Sequence, residues 1–194
     1  MKRWVALCFP FVAVWVFTTG ISGCTLHLVP SKIPPLDTKT EGLAGPFNNI
    51  TVTLVNAQAD DSEYSVKSFQ GRDSGYVLSL KLWTEKLAEA LGAELTARQG
   101  KVVGGAPVTI FLKTTEVAWT QKPPGLIVFR VTAGVTSNSG WTKTYVGSGE
   151  ASAWVPAGLA KDSNWNRAAN WTIRDVVRVI MSDPEFIAEL SKQK

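Results

Sequence analysis

Between Pro107 and Trp154 the chain alternates apolar and polar residues through three consecutive runs separated by turn-forming residues, and few architectures accept that pattern. Val108, Ile110 and Leu112 alternate with Thr109, Phe111 and Lys113. Ile127, Phe129, Val131, Ala133 and Val135 share one side of the next run, and Tyr145, Gly147, Gly149, Ala151 and Ala153 share one side of the third. A strand turns successive side chains to opposite faces, so each run reads as a strand with one face buried. Gln121-Lys122-Pro123-Pro124-Gly125 and Asn138-Ser139-Gly140 are short clusters that reverse a chain. Three long strands so joined predict an antiparallel meander. The small residues of the third strand predict that another element, most simply a helix, lies close against it.

The rest of the chain supplies the layers for such a sheet. Residues 49–56 place Ile50, Val52 and Leu54 in alternation with Thr51, Thr53 and Val55, which reads as a first core strand. Residues 57–75 are polar and rich in Asp, Ser and Gly, and read as a loop. The period then changes: Leu80, Trp83 or Thr84, Leu87, Leu91 and Leu95 recur at helical spacing between Tyr76 and Gln99, with Gly100 as the stop. A second helix starts at Asp162 or Ser163 and lines up Trp165, Ala169, Thr172, Val176 and Ile180. Asp183-Pro184-Glu185 restarts a short third helix that runs through Leu190. This order predicts an α+β fold, an antiparallel sheet of about four strands with helices packed on one face.

The front of the chain has a different character. Met1, Lys2 and Arg3 precede an apolar run of about 14 residues from Trp4 to Phe17. A helix needs roughly 20 such residues to cross a bilayer core, so this is a secretory leader rather than a membrane span. Ile21-Ser22-Gly23-Cys24 resembles the bacterial lipobox, in which an aliphatic residue and two small ones precede an obligatory cysteine. The thiol is nucleophilic enough to take a diacylglycerol as a thioether, and the small residues admit the peptidase. The organisation expected is therefore a signal peptide over residues 1–23, a lipidated Cys24 with a flexible, proline-containing tether over 24–46, and a single α+β periplasmic domain over 47–194. Within the tether, Leu26, Leu28 and Val29 are apolar enough to pack on the domain as an edge strand.

Composition then removes whole classes of function. Of 20 Lys and Arg and 16 Asp and Glu, Lys2 and Arg3 leave with the leader, so the mature balance is only +2 and gives no footprint for nucleic acid. Cys8 leaves as well, so the one remaining cysteine is committed to lipid, and disulfides within the chain and thiolate metal sites are excluded. The lone His27 sits three residues from the anchor and reads as a solvated tether residue. Asp60, Asp61 and Glu63 read as a solvated acidic loop, and Gly147-Ser148-Gly149-Glu150 lacks the spacing of a nucleophile elbow or phosphate loop. No catalytic residue, no metal ligand and no cofactor beyond the diacylglycerol and N-acyl chain on Cys24 is expected. Tryptophan is the exception to blandness, with six of eight kept after cleavage. Trp119, Trp154, Trp165 and Trp171 fall near one end of the sheet, as an aromatic binding patch or as a satellite core.

Taken together, the lipobox, the tether, the Ile50–Leu54 strand, the helix ending Ala97-Arg98-Gln99-Gly100, the Pro107–Leu112 strand, Thr142-Lys143-Thr144-Tyr145 and the closing Asp183–Ile187 segment resemble the YajG-type family of outer-membrane lipoproteins. A more distant likeness is to the lipopolysaccharide-assembly lipoprotein that plugs a β-barrel transporter. The first resemblance implies a lipid-anchored, periplasm-facing protein without established catalytic or binding residues. Thr25 stands where the inner-membrane retention signal of enteric bacteria places Asp, which in that convention means sorting to the outer membrane. The function expected is non-enzymatic: an accessory or structural binding subunit beside another envelope protein or peptidoglycan. The alternative is a glycan or lipopolysaccharide binder that uses the aromatic patch.

Overall fold

The computed structural model describes residues 26–37, 47–68, 73–123, 125–152 and 162–192. The leader, the lipobox residues Ile21, Ser22 and Gly23, Cys24 and Trp154 lie outside the described residues. The elements in order are β1 (Leu26–His27), β2 (Thr51–Asn56), β3 (Glu63–Ser68), β4 (Asp73–Ser79), α1 (Leu80–Ala97), β5 (Lys101–Val102), β6 (Val108–Lys122), β7 (Leu126–Ser137), β8 (Thr142–Ser152), α2 (Asp162–Ser182) and α3 (Pro184–Leu190).

The expected meander is present: β6 pairs antiparallel with β7, and β7 antiparallel with β8. Ile127, Phe129, Val131, Ala133 and Val135 are all buried, as their alternation predicts. In β6 the buried parity changes. Val108, Ile110, Leu112 and Thr114 face inward, then Val117 does, because the register with β7 shifts between Thr114 and Glu116. A bulge of one residue resets the period, which keeps Glu116 in solvent and returns Val117 to the core. At the bulge the Thr114 amide donates to the Thr84 hydroxyl of α1 at 2.9 Å, which satisfies that donor.

The sheet itself differs from the expectation of about four antiparallel strands. It is mixed and 8-stranded, with the path β1-β4-β3-β6-β2-β5 and with β7 and β8 added on the far side of β6. The first core strand, β2, runs parallel to β6, from Val52 opposite Val108 to Asn56 opposite Leu112. Its chain leaves through a hairpin and a helix before returning, and a crossover of that length permits parallel pairing. The hairpin leaves little mark on the sequence, because its apolar residues are sparse. The expected loop 57–75 holds β3, and β4 takes Tyr76–Ser79 from the expected helix. Val66 and Leu78 are its buried anchors. The helix then begins at a real cap, with the Ser79 hydroxyl accepting from the Leu82 amide at 3.1 Å.

One face of the sheet carries the helices. α1 buries Trp83, Leu87, Leu91 and Leu95. α2 buries Trp165, Ala169, Thr172, Val176 and Ile180 against β7 and β8. α3 starts with Asp183 accepting from the Glu185 amide at 3.1 Å and Pro184 in the first turn. Among the described residues, no helix is long and apolar enough to cross a membrane.

Part of the segment expected as a tether packs on the domain, in keeping with the edge strand that Leu26 and Leu28 suggest. β1 pairs parallel with β4, Leu26 opposite Tyr76 and His27 opposite Val77, and residues 28–37 continue as a strap over the helices. Leu28 and Leu36 are 3 % and 8 % exposed, so the few apolar residues among these prolines are enough to pin the segment.

Candidate functional site

The tryptophans separate into two environments. Trp119 at the end of β6 and Trp165 in the first turns of α2 meet edge to face, ring centroids 4.8 Å apart and planes at 60°. Trp165 also meets Phe129 at 5.6 Å and 75°, and is only 7 % exposed. These rings pack on each other at one end of the sheet, an arrangement that stabilises by area burial and by the edge-to-face geometry. Trp171 is one of the same set but lies six residues further along α2, on its outer face, where it is 39 % exposed. Its ring is covered on one side by the Arg174 guanidinium, 4.9 Å from the centroid. The structure thus joins Trp119 with Trp165 and leaves Trp171 on the other side of the helix. Trp83 is buried, and Trp141 is partly buried against Phe186.

The strap is held by a series of polar contacts that sequence reading did not anticipate. Leu28 donates its amide to the Val77 carbonyl at 3.1 Å and accepts from the Trp83 indole at 3.0 Å. Ser31 donates its amide to the Asn170 side-chain oxygen at 2.8 Å, and the Pro35 carbonyl accepts from Arg174 at 3.1 Å. Leu36 donates its amide to Glu94 at 2.7 Å. β4, α1 and α2 are therefore all tied to one short stretch of chain. Beside it lies a cleft of about 240 Å³, with Ile33, Ala90 and Val177 in its lining and Lys86 and Arg174 among its charged residues.

Glu94 is the pivot of this arrangement. Its second oxygen meets Arg98 at 2.6 Å, and the two side chains are 10 % and 4 % exposed. The i,i+4 spacing of Glu94 and Arg98 on α1 thus brings together a buried ion pair. Two Arg98 nitrogens, Nε and Nη2, have no partner among the described residues.

A second polar cluster lies at the junction of β8, α2 and α3. The Tyr145 hydroxyl donates to Asp183, which also takes Lys143 at 3.0 Å, while Lys143 reaches Glu185 at 3.1 Å. Burial, reinforced by the bond to Asp183, pushes the Tyr145 hydroxyl well above its ordinary value. Burial opposes ionisation of Asp183, yet the bonds from Tyr145, Lys143 and the Glu185 amide prevail and hold its carboxyl below the ordinary value. Glu189 is buried too. Burial again opposes its ionisation, but Lys192, Ser137 and Ser139 outweigh it and lower the carboxyl's value. Each cluster ties a helix to a strand.

Asp60 and Asp61 are exposed; Asp60 accepts from Ser62 at 2.8 and 2.7 Å, and Asp61 from Ser79 at 2.7 Å. Glu63 lies 3.6 Å from His27, both well exposed. Among the described residues no group of three or more His, Cys, Asp or Glu is arranged to hold a metal ion. Gly147-Ser148-Gly149-Glu150 is strand, part of β8.

No protein-family model and no curated protein matches the chain. Among solved structures it is similar to a protein from Caulobacter crescentus CB15 provisionally described as a lipoprotein, at 13% identity over 73% of this chain and 91% of that one, TM-score 0.45. It is also similar to a protein of the DUF330 family from Xanthomonas campestris, at 12% identity over 88% of this chain and 100% of that one, TM-score 0.49. A third is a minor lipoprotein from Acinetobacter baumannii, at 11% identity over 74% of this chain and 94% of that one, TM-score 0.40.

Proposed function

We propose that this chain is an outer-membrane lipoprotein of the YajG type, anchored through Cys24, facing the periplasm and acting without catalysis as an accessory or structural binding subunit of the envelope. The observation that carries the reading is the lipobox Ile21-Ser22-Gly23-Cys24 placed directly before β1. Cleavage before Cys24 leaves a folded domain whose first strand begins two residues later, so the lipid and the domain are parts of one short unit. Each buried methylene contributes roughly 0.8 kcal/mol, and one acyl chain holds only marginally, whereas two or three hold durably. The glycan or lipopolysaccharide alternative draws less support, since Trp119 and Trp165 stack on each other and only Trp171 of the described set faces solvent.

Mass spectrometry of the amino-terminal peptide from bacterial membranes tests the anchor. The expected product begins at Cys24 and carries a diacylglyceryl thioether and an N-acyl group. An unmodified thiol, or a retained leader, overturns the reading. Density separation of the membranes tests sorting, with recovery in the inner membrane counting against the outer-membrane assignment.

A further inference from the structure

We propose that the hollow between the strap and the outer face of α2, walled by Trp171, is a binding subsite for peptidoglycan. One sugar ring stacks on the indole, and the carboxylates of the stem peptide meet Lys32 and Arg167. The inference rests on the reading of the chain as a periplasm-facing binding subunit, and it names what that subunit binds.

The way the strap is pinned creates the hollow. Ser31 donates its amide to the Asn170 side-chain oxygen at 2.8 Å, which fixes the strap alongside α2. The space left between them is about 420 Å³ and is bordered by Ser31, Lys32, Asn166, Arg167, Asn170 and Trp171. Small-ligand sites run from roughly 300 to 1,000 Å³, so the size is that of such a site. Asn166 and Asn170, and likewise Arg167 and Trp171, stand four residues apart on α2, so each pair shares a side of the helix.

Trp171 is a platform held from behind. Its residue is 39 % exposed, and the Arg174 guanidinium covers one side of the ring at 4.9 Å from the centroid. Arg174 is itself held, donating to the Pro35 carbonyl at 3.1 Å. It does not border the hollow, so the uncovered part of the indole forms the wall. A ring already fixed loses little freedom when a ligand packs on it. The C–H face of a pyranose suits that surface, because its weakly positive hydrogens meet the negative face of the aromatic ring.

The rest of the wall supplies polar groups of the kinds a glycan uses. Asn170 commits its side-chain oxygen to Ser31 and keeps its amide nitrogen as a donor, while Asn166 and the Ser31 hydroxyl offer both donor and acceptor. Sugar hydroxyls and acetamido groups take both. Lys32 and Arg167 are exposed at the rim, and among the described residues no carboxylate borders the hollow. A ligand that carries acids therefore meets two cations and no like charge. Peptidoglycan joins N-acetylated pyranoses to stem peptides that carry carboxylates, and it is the glycan that a periplasm-facing protein meets.

The experiment is a calorimetric titration of the protein extracted from bacterial membranes in detergent. The probes are a soluble disaccharide-tetrapeptide released from peptidoglycan and the neutral disaccharide of N-acetylglucosamine. Saturable binding of the first is expected, with weaker binding of the second. Trp171→Ala is expected to weaken both by about tenfold. Trp171→Phe, which keeps a smaller ring, should lose less, and it decides the matter if melting shows that the alanine variant does not fold. The Lys32→Gln, Arg167→Gln double variant should bring the tetrapeptide probe down to the affinity of the neutral disaccharide and leave the latter unchanged. No saturable binding of the tetrapeptide probe, or binding indifferent to both Trp171 variants, overturns the proposal. So does binding of lipopolysaccharide in place of that probe. Mass spectrometry of the same preparation reads Cys24 separately. A bare cysteine with the probe still bound ends the anchor reading and supports the subsite, whereas a lipidated cysteine with no probe bound ends the subsite alone.

Discussion

Gly149 lies so close beneath α2 that a Cβ on it would stand 2.3 Å from the backbone nitrogen of Thr172 and 2.4 Å from the Ala168 carbonyl oxygen. Gly147 meets Val176 in the same way, at 2.5 Å from its nitrogen and 2.9 Å from its Cα. The obstacles include backbone atoms, which have no rotamer to escape into, so an added methyl must lift the helix from the strand. Gly149→Ala and Gly147→Ala are each expected to destabilise the fold by about 1–3 kcal/mol or more in urea unfolding. Gly134, whose nearest neighbour would be the Lys113 carbonyl at 3.8 Å, supplies the control. Gly134→Ala is expected to be neutral or slightly stabilising, since glycine inside a strand loses more freedom on folding. Equal stability of the Gly149 and Gly134 variants would refute the close approach.

The Tyr145, Lys143 and Asp183 cluster sets an acid limit. Asp183 and Glu189 both titrate below their ordinary values in the folded chain, so the native state releases their protons more readily than the unfolded state does. The stability they contribute is present above the ordinary carboxylate range, near pH 4, and is lost as pH falls through the lowered folded values. Thermal melts are expected to drop steeply on acidification below about pH 4. In Asp183→Asn the melting temperature at neutral pH should fall, and the acid slope should flatten. An acid slope unchanged by that substitution removes Asp183 from the account.

Much of this architecture is legible in the chain. The long alternating runs of β6 to β8 and the helical stripe of Trp83, Leu87, Leu91 and Leu95 name their own periods, and the glycines of β8 announce the helix above them. The β3–β4 hairpin is not legible, because two buried anchors, Val66 and Leu78, are too few to show a period. Parallel pairing of β2 is invisible for a different reason: register and direction belong to the partner strand, not to the run itself. The candidate site divides likewise. Nothing in the spacing of Ser31 and Asn170, or of Leu36 and Glu94, announces contact, since the partners stand 139 and 58 residues apart. Trp171 stands near Trp165 in the sequence, but only the helical projection of α2 separates it from the Trp119–Trp165 pair.

Glu94 joins the strap to the body of the domain. Removing it leaves the Arg98 guanidinium buried without its counter-charge and the Leu36 amide without its acceptor. Breaking one half of a buried pair costs about 3–5 kcal/mol, so Glu94→Ala is expected to fall in that range. Glu94→Gln keeps an oxygen for Leu36 and is expected to cost less. Trypsin reports on the strap directly, because Lys32 lies within it. Cleavage after Lys32 should accelerate in Glu94→Ala more than global destabilisation alone explains, and should stay slow in Glu94→Gln. Equal cleavage in both variants would mean that the Leu36 bond does not hold the strap.

The end of α1 offers a test with opposite signs at adjacent positions. The helix closes with the Gly100 amide donating to Leu95 at 2.9 Å and the Gln99 amide to Thr96 at 3.0 Å, the paired bonds of a Schellman turn. The left-handed residue of that turn is Gln99, with φ of 69°, and not the glycine that marks the stop in the sequence. Gln99→Gly removes the Cβ penalty and is expected to stabilise the protein by about 1 kcal/mol. Gly100→Ala places a methyl 3.0 Å from the Leu95 carbonyl oxygen and 3.5 Å from the Phe47 Cβ, and is expected to destabilise. Urea midpoints decide between them. If Gly100→Ala proves the more stable of the two, the turn is not the one drawn here, and the hydrogen bond from Phe47 to the Arg98 carbonyl, which closes the strap side of the domain at 2.7 Å, loses its geometric support.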